Sequence, residues 1–484
     1  MADRRSPRLA AEPTPAVLIA TLSLVVLTVA VLQTGVVPIL GVMSEQLDVS
    51  VLDISWTVTA NLLAAAASTP LLGRLADLHT KKRLLVAVLV VVLAGSVLAA
   101  MTSSLAALIV ARVLQGASFA LYPIGISILR EELPAEQLMR AMAVLSGVLG
   151  FGGGVGLVIT GLLIREGADY HRTFWFMTAF CVVELIAVVL FLPQRRSRAT
   201  GSVDWGGAVV LALGLSGLLL AISQGNVWGW TSAPVLASGL GGLTVLVLWW
   251  RWERRCAHPL VSTRMLTRRP ILFTNIATVA VGMGLYFGFL GLTVFVQVPT
   301  ASGYGFGASV LWASVTFLLP GALAGFAAAT LGGHYIDRFG ARPVLVAGAA
   351  LGVTGFAMLA LVHSVSWQII AAAILINAYI SLAYGALPAL VVREVEAGET
   401  AVATSMNAIA RTVGASLAAA VVAVLLDRTT AAGYPPESTF SAIFFLGAAT
   451  GLVAMVLIGV SRPRLRRINP AEEAESRALN HEWG

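Results

Sequence analysis

The sequence is short of charge, cysteine and histidine, and each shortage excludes a kind of protein. Only 11% of its 484 residues are charged, while 58% are hydrophobic, more apolar surface than a soluble core of this size needs. Two cysteines, Cys181 and Cys256, are too few for a disulfide framework or a cysteine metal site. Six scattered histidines show no metal-ligand spacing. The composition therefore predicts no metal.

The sequence also lacks the motifs of the common enzyme classes. It contains no GKS/T phosphate loop, which argues against an ATP-driven protein, and neither HExxH nor GxSxG occurs. Its three glycine-rich stretches follow helical patterns and not strands, so they do not indicate a dinucleotide site. We therefore expect no enzyme and no cofactor.

Long apolar runs dominate what is present. The mean hydropathy is +0.88, and fourteen runs have about the 20 residues that cross the roughly 30 Å hydrocarbon core of a bilayer. Leu, Val and Ala runs of this length favour helices over the alternating strands of a barrel. The sequence thus predicts an all-α membrane protein with fourteen transmembrane helices. The runs lie near residues 16–42, 50–73, 83–102, 104–129, 138–164, 173–192, 205–223, 232–250, 270–298, 308–332, 343–362, 366–392, 402–426 and 440–461.

A short charged loop occurs twice. GRLADLHTKKR begins at Gly73 and GHYIDRFGARP at Gly333, and ILREEL (128–133) recurs as VVREVE (391–396) at nearly the same offset. The repetition predicts two six-helix bundles with two helices inserted between them. The expected segments are a cytoplasmic N-terminal segment (1–15), a first bundle (16–200), two inserted helices and a basic cytoplasmic linker (201–269), a second bundle (270–462) and a cytoplasmic tail (463–484).

Basic residues distribute unevenly across the predicted loops. With both termini cytoplasmic, 26 of the 31 Lys and Arg residues lie on inner segments, as the positive-inside rule requires. The pI near 9.8 therefore indicates topology in the cell membrane and contact with anionic lipid, not nucleic-acid binding. The inner clusters are Arg4, Arg5 and Arg8, then Lys81 to Arg83, Arg195 to Arg198, Arg251 to Arg269 and Arg462 to Arg467, whereas the outer loops carry Arg165, Arg172 and Arg428.

These features resemble the major facilitator superfamily, specifically its fourteen-helix drug:proton antiporter branch, over nearly the whole chain. The first charged loop matches the family signature except that Thr80 replaces a glycine, which the second copy keeps as Gly340. Leu108, Arg112, Gln115 and Gly116 match the helix 4 signature. The helix 5 antiporter signature is kept in part, at Gly152, Gly156 and Gly161, because Leu157 and Thr160 replace its proline and a glycine. In helix 1, Val29 and Thr34 stand where drug exporters of this branch carry Asp and Asn.

An aspartate at a helix end can accept hydrogen bonds from the N–H groups of a neighbouring helix N-terminus and so latch one closed state. We predict this role for Asp77, although topology alone could explain the charges around it. The predicted latch comprises Gly73, Arg74, Asp77, Lys81, Lys82 and Arg83 in the first copy and Asp337 and Arg338 in the second.

Two charged residues inside predicted helices are candidates for proton coupling. Arg112 cannot readily lose its charge and therefore needs a wet cavity or a partner, and the resemblance implies proton relay or substrate contact there. Glu184 is the carboxylate well inside a predicted span, and burial favours its protonated form. Glu184 is either a proton site or a side chain that faces lipid or packs without function. Asp53 follows Ser50 at the spacing of a capping box, which predicts a helix start.

The predicted central cavity has polar groups among apolar and aromatic walls, which suits an amphipathic or cationic organic substrate. The glycines of helix 5 predict a hinge or a tight helix seam, with Gly152, Gly156 and Gly161 as the signature positions. The candidate cavity residues are Gln33, Thr34, Asn61, Gln115, Tyr122, Asn377, Tyr384, Asn407 and Arg411.

The resemblance implies a monomeric exporter of hydrophobic or amphipathic compounds that exchanges them for protons by alternating access. Two alternatives remain. Val29, Leu157 and Thr160 favour a lipid or metabolite carrier without proton antiport, and a membrane sensor could keep the fold without transporting anything.

Overall fold

The structure, a computed structural model, describes residues 14–164, 168–195, 202–427 and 433–461. The predicted N-terminal segment, apart from its last two residues, and the predicted tail lie outside these residues. So do the basic positions Arg4, Arg5, Arg8, Arg165, Arg196, Arg198, Arg428, Arg462, Arg464, Arg466 and Arg467.

The described residues form an all-helical protein. Thirteen of their helical segments are long and apolar enough to cross a membrane. The 28-residue helix Val51–Leu78 is not among these thirteen, and its polar side chains include Thr57, Thr59, Asn61, Ser68 and Thr69. The segments are α1 (Pro15–Gln46), α2 (Val51–Leu78), α3 (Lys81–Met101), α4 (Leu105–Glu132), α5 (Ala135–Leu163), α6 (His171–Phe191), α7 (Trp205–Trp228), α8 (Ala233–Glu253), α9 (Arg269–Gln297), α10 (Ala313–Phe339), α11 (Ala341–Leu361), α12 (Ser366–Arg393), α13 (Ala397–Leu426) and α14 (Glu437–Val460).

Prolines mark the irregular places in three of these segments. α1 is α-helical to Thr34 and continues through a 3₁₀ turn that contains Pro38. α4 passes through a 3₁₀ turn at Ala117–Ala120, just before Pro123, and α10 opens with a π-helical stretch, Ala313–Leu318, before Pro320. Because proline has no N–H, each one leaves a carbonyl of the preceding turn without its helical donor.

Helices α1–α6, called here the N-terminal set, pack against helices α9–α14, the C-terminal set. α5 lies against α10 and α12, and α2 and α4 lie against α13. Small residues permit this approach: a Cβ added to Gly147 would lie 2.5 Å from the Cβ of Ala329, and one added to Gly154 would lie 2.9 Å from that of Ala322. The seam between α5 and α10 therefore depends on glycine facing alanine.

Helices α7 and α8 pack closely on each other at Gly217 and Gly242. α7 also contacts both helix sets. Its Gln224 Nε2 donates to Thr59 Oγ1 of α2 (3.2 Å), and its Asn226 Nδ2 donates to the carbonyl of Ala420 of α13 (3.0 Å). The pair thus lies alongside the junction of the two sets, where the predicted inserted helices would sit.

Asp204 caps the start of α7 and ties it to the end of α8. Its Oδ1 accepts from the N–H of Gly207 (2.8 Å), and its Oδ2 accepts from the Trp252 indole (2.9 Å) and the Cys256 thiol (3.2 Å). Partial burial acts to raise the pKa of this carboxyl group, but the hydrogen bonds outweigh it and hold the pKa below its usual range. The same carboxylate raises the pKa of the Cys256 thiol.

The tightest helix contact predicts a stability effect. A Cβ on Gly414 of α13 would lie 2.0 Å from the carbonyl oxygen of Val279 of α9, a distance that forces the two backbones apart. We expect Gly414→Ala to lower the free energy of unfolding by about 1–3 kcal/mol, measured by thermal unfolding in detergent. Gly459→Ala is the control because a Cβ there meets nothing within 4 Å. Equal melting temperatures for the two variants would contradict this packing.

Candidate functional site

A central cavity of about 150 Å³ lies between the two helix sets. α1 and α5 line it from the N-terminal set, and α9, α10, α12 and α13 line it from the C-terminal set. Its walls are mostly apolar, with Leu149, Leu157, Phe289, Leu292 and Ile376 among them. Of the residues predicted for the cavity, five line it: Gln33, Thr34, Asn377, Tyr384 and Arg411.

The other four predicted cavity residues, Asn61, Gln115, Tyr122 and Asn407, are not among those that line it. Asn61 Nδ2 donates to the carbonyl of Arg112 (2.9 Å), and Gln115 is fully buried between Arg112 and Ser96. Asn407 Nδ2 donates to Asn275 Oδ1 (3.0 Å) and Thr278 Oγ1 (2.7 Å), which joins α13 to α9. These amides therefore connect helices, a use that sequence alone does not distinguish from lining a cavity.

Arg411 is clamped between two aromatic rings. Its Cζ lies 4.7 Å from the ring centre of Tyr384 and 5.6 Å from that of Tyr122, within the range of a cation–π interaction. The Tyr122 hydroxyl and Ser146 Oγ are 2.8 Å apart, and Ser146 Oγ lies 2.9 Å from the Tyr384 carbonyl. Because Tyr122 belongs to the N-terminal set, Arg411 joins the two sets at the cavity wall.

Asp77 makes the contact predicted for it. Its Oδ1 accepts from the N–H of Ala401 (3.0 Å), and its Oδ2 accepts from that of Val402 (2.9 Å). These are N–H groups of the first turn of the α-helical part of α13, which begins at Thr400, and Asp77 is 1% exposed. A carboxylate here satisfies two donors that have no partner within the helix and complements the helix dipole.

Arg130, at the end of α4, reinforces the same junction. Its guanidinium donates to the carbonyls of Val395 (2.8 Å) and Glu396 (3.2 Å) and to Thr400 Oγ1 (2.7 Å). Sequence reasoning missed this residue as a functional candidate. The signal was the repeated ILREEL and VVREVE motif, which placed an arginine at the inner end of α4 without a partner.

The other charges of the first loop bind within the N-terminal set. Lys81 pairs with Glu131 of α4, and Lys82 Nζ donates to the carbonyls of Val189 (2.9 Å) and Leu192 (2.5 Å) at the end of α6. Arg83 faces the side-chain amide of Gln194, whose oxygen accepts two hydrogen bonds when the amide is turned toward it.

Two glycines and one arginine complete the comparison of the loops. A Cβ on Gly73 would lie 2.3 Å from Ser405 Oγ, so this glycine lets α2 approach α13. Arg74 has its Nε buried without a hydrogen-bond partner in the described residues. Gly340 has φ +87°, whereas Thr80 has φ −61°. Glycine is therefore needed in the second loop and not in the first.

The second loop also crosses between the sets. Asp337 Oδ2 accepts from Arg140 Nε of α5 (2.6 Å), a contact between a partly buried carboxylate and an exposed arginine. Arg338 does not join it, because its guanidinium lies over the Phe339 ring at 5.1 Å. The two copies thus hold the sets together through one aspartate each.

Arg112 is buried at 1% exposure and anchored by neutral groups. It donates to the carbonyls of Leu32 of α1 (3.3 Å) and Thr57 of α2 (3.2 Å) and to Gln115 Oε1 (2.7 Å). Gln115 Nε2 then donates to Ser96 Oγ of α3 (3.0 Å). One arginine on α4 therefore ties four helices together in the interior of the N-terminal set.

Glu184 is fully buried in the N-terminal set and does not face lipid. Neither carboxyl oxygen has a hydrogen-bond partner among the described residues. The neighbouring Thr28 hydroxyl donates to the Leu24 carbonyl instead (3.2 Å), and Cys181, which is beside Glu184, approaches Ser96. Glu184 thus lies next to the end of the Arg112, Gln115 and Ser96 chain.

The three signature glycines of α5 have different surroundings. A Cβ on Gly152 would lie 2.7 Å from the Cβ of Ala30, and one on Gly156 would lie 2.5 Å from Thr34 Oγ1, so both hold α5 against α1. A Cβ on Gly161 would meet its nearest neighbour, Leu311, at an ordinary 3.7 Å. The first two positions therefore form a tight seam inside the N-terminal set.

The Asp77 contact predicts how easily this end of the bundle opens. We expect Asp77→Asn to raise the labelling rate of Thr404→Cys by N-ethylmaleimide about 5- to 30-fold, because an amide gives up about 1–2 kcal/mol of charge-assisted hydrogen bonding. Cys181 and Cys256 are replaced by serine in both backgrounds. Asp53→Asn is the control: Asp53 pairs with Ser50 at the start of α2, the capping box that the sequence predicted. Equal labelling rates in the two variants would remove Asp77 from the closed contact.

Comparison with known proteins agrees with this architecture. The chain is 27% identical over 329 residues to a uridine/deoxyuridine transporter of Lactococcus lactis (66% of this chain, 68% of that protein). It is 25% identical over 274 residues to multidrug resistance protein 3 of Bacillus subtilis (56% and 52%) and 28% identical over 319 residues to a multidrug resistance protein B homolog of Mycobacterium tuberculosis (62% and 55%). The chain thus spans about half the length of the two multidrug relatives.

A solved structure, the human organic anion transporter MFSD10 (TETRAN), has the same fold, with a TM-score of 0.60 at 14% identity over 91% of this chain and all of that one. The sequence pattern of the Major Facilitator Superfamily matches residues 22–207, 191–419 and 321–483, which together span most of the chain. Proteins with this fold are transporters and not enzymes. The chain is therefore a multi-span membrane transporter and belongs to the major facilitator superfamily.

Proposed function

We propose that this transporter exports hydrophobic or amphipathic organic compounds across the plasma membrane in exchange for protons. The observation that carries the proposal is the mostly apolar cavity lined by both helix sets, together with the Asp77 contact that joins those sets at one end. A cavity at the junction of two bundles binds a small molecule, and rocking of the bundles exposes it to either side in turn. Multidrug proteins among its relatives support the same substrate class.

We further infer the fourteen-helix arrangement of the drug:proton antiporter branch. α2 has 28 residues, about 42 Å of helix, enough to cross the bilayer despite its polar side chains. With α2 included, α1–α6 and α9–α14 form two six-helix bundles and α7 with α8 forms the insertion. An even number of spans puts both termini on one side, which the basic loops assign to the cytoplasm. A single chain supplies the whole cavity, so a monomer suffices.

Proton coupling is assigned to Glu184 and Arg112. Glu184 is the buried carboxylate without a hydrogen-bond partner in the described residues, and a bare carboxylate in such a place is costly unless it takes up a proton. Arg112 connects this region to the cavity because it binds the carbonyl of Leu32, the residue next to Gln33. A change of charge at Glu184 would therefore act on α1, which lines the cavity.

A lipid or metabolite carrier without proton antiport is the second candidate. It is favoured by three of the departures from the drug exporter pattern, Val29, Leu157 and Thr160, which are all buried. Leu157 also lines the cavity, where the branch signature has proline. The relative named as a uridine/deoxyuridine transporter fits this alternative.

Flux from vesicles distinguishes these functions. Purified protein in liposomes loaded with an amphipathic fluorescent dye should accelerate dye movement when a pH gradient is imposed, and an ionophore that collapses the gradient should abolish the acceleration. Flux of equal rate with and without the gradient would support the carrier. An absence of flux for every compound in a chemically diverse panel would contradict transport and support a sensor.

The same assay tests the proton site. We expect Glu184→Gln to lose at least 90% of the gradient-driven flux while substrate exchange at equal pH continues, because glutamine has the shape of the protonated acid but cannot release a proton. Glu45→Gln, a change at an exposed carboxylate, should retain gradient-driven flux. Wild-type gradient-driven flux in Glu184→Gln would exclude Glu184 as the coupling residue.

A further inference from the structure

The charge of the cavity comes from one residue. Of the described residues that line it, Arg411 is the charged one, and none carries a carboxylate. An arginine keeps its charge at any ordinary pH. The cavity therefore presents a fixed positive charge in surroundings where an unpaired charge is expensive.

The guanidinium has room for a ligand. Arg411 makes no hydrogen bond or ion pair within the described residues, and its contacts there are the ring faces of Tyr122 and Tyr384. Ring faces hold the cation from the side and do not use its five N–H donors. A planar, forked set of donors matches a carboxylate or another oxyanion.

Polar groups that could accept or donate hydrogen bonds line the same cavity. Gln33 and Ser381 line the cavity without a hydrogen bond to the rest of the described chain, and Tyr286 and Tyr384 add phenol groups. Asn377, which also lines the cavity, donates to the Ala373 carbonyl (2.9 Å), and its side-chain oxygen accepts no hydrogen bond in the described chain. Most of the other lining residues are aliphatic or aromatic, so a ligand would place its charged end at Arg411 and its apolar body against them.

We propose that the cavity selects organic anions: compounds with an apolar, preferably aromatic body and one oxyanion, paired with Arg411. This proposal rests on the proposed function in that it takes the central cavity as the transport site. It narrows the amphipathic or cationic class expected from sequence, because a cation would meet Arg411 with no carboxylate lining the cavity to offset the repulsion.

A matched ligand series tests the proposal on the purified full-length protein in nanodiscs. Naphthalene-2-carboxylate, naphthalene-2-carboxamide and a naphthyl-trimethylammonium share one ring and carry charges of −1, 0 and +1. We expect calorimetry to show the carboxylate binding about 10- to 100-fold more tightly than the amide, the range that a charge-assisted hydrogen bond provides, and the cation binding weakest. Cation binding equal to or tighter than carboxylate binding would overturn the proposal.

Variants of Arg411 assign the preference to this residue. Arg411→Gln should bring carboxylate and amide affinities within about threefold of each other, while Arg411→Lys should keep a reduced preference for the carboxylate. Arg172→Gln removes an exposed arginine at the start of α6 and should leave the ranking unchanged. A preference that survives in Arg411→Gln would contradict the assignment. If that variant does not purify as a monodisperse protein, the wild-type ranking of the three ligands decides.

The binding result is separable from the transport mechanism. Carboxylate preference without gradient-driven flux would contradict proton antiport and leave the anion site standing. Gradient-driven efflux combined with a preference for the cation would do the reverse.

Discussion

The hydrogen bonds between the Asp77 carboxylate and the N–H groups of Ala401 and Val402 join the two helix sets at one end of the bundle. The first N–H groups of a helix have no acceptor within that helix. Here the acceptor, Asp77, is 324 residues away in sequence from Ala401. Arg130 and the Arg140 pair with Asp337 add to this contact from neighbouring helices. These are polar contacts with few atoms, which fits the proposed opening of this junction, whereas the glycine and alanine seam of α5 and α10 would give the surface along which the sets tilt in that proposal.

The Asp77 contact could be predicted because a carboxylate at a helix end, in a charged loop that occurs twice, can accept hydrogen bonds from the first N–H groups of a neighbouring helix. The all-helical membrane fold could also be predicted, since a bilayer leaves hydropathy as the main signal, whereas the count of fourteen spans stays a prediction beside the thirteen candidate spans of the described residues. α2 shows the limit: it is a 28-residue helix that is not among the thirteen candidate spans. Sequence could not separate amides that line the cavity from amides that join helices. Asn377 and Asn407 are both single asparagines in apolar runs, and what differs is the neighbouring helix, where Asn407 meets Asn275 and Thr278. Arg130 was missed because two of its three acceptors are backbone carbonyls, which leave no mark in the sequence.

The three ionisable residues inside the helices differ in their partners, and an ionisable group inside a membrane protein needs a partner or a proton. Arg112 donates hydrogen bonds to two carbonyls and to Gln115, which makes it part of the framework of the N-terminal set. The Arg411 guanidinium contacts two aromatic ring faces. This arrangement is weaker and leaves the N–H donors of the guanidinium available. The Glu184 carboxyl group has no hydrogen bond in the described chain, and protonation would remove the cost of burying its charge. The three residues therefore differ in what they contact, and their shared position inside helices does not reveal this difference.

The proposed anionic substrate would change the energetics of the proposed export. A cell interior that is negative by 100 mV favours outward movement of one negative charge by about 2.3 kcal/mol, equivalent to a concentration ratio of roughly 50. Export of a monoanion with entry of one proton moves two charges in the favourable direction, so both parts of the proton gradient contribute.

Tyr122 offers a route from binding to movement. It belongs to the N-terminal set and holds the Arg411 guanidinium of the C-terminal set, so an anion that draws Arg411 into the cavity weakens a contact between the two sets at the same step that fills the site. The ligand then has the differential interaction with two states that a conformational change requires.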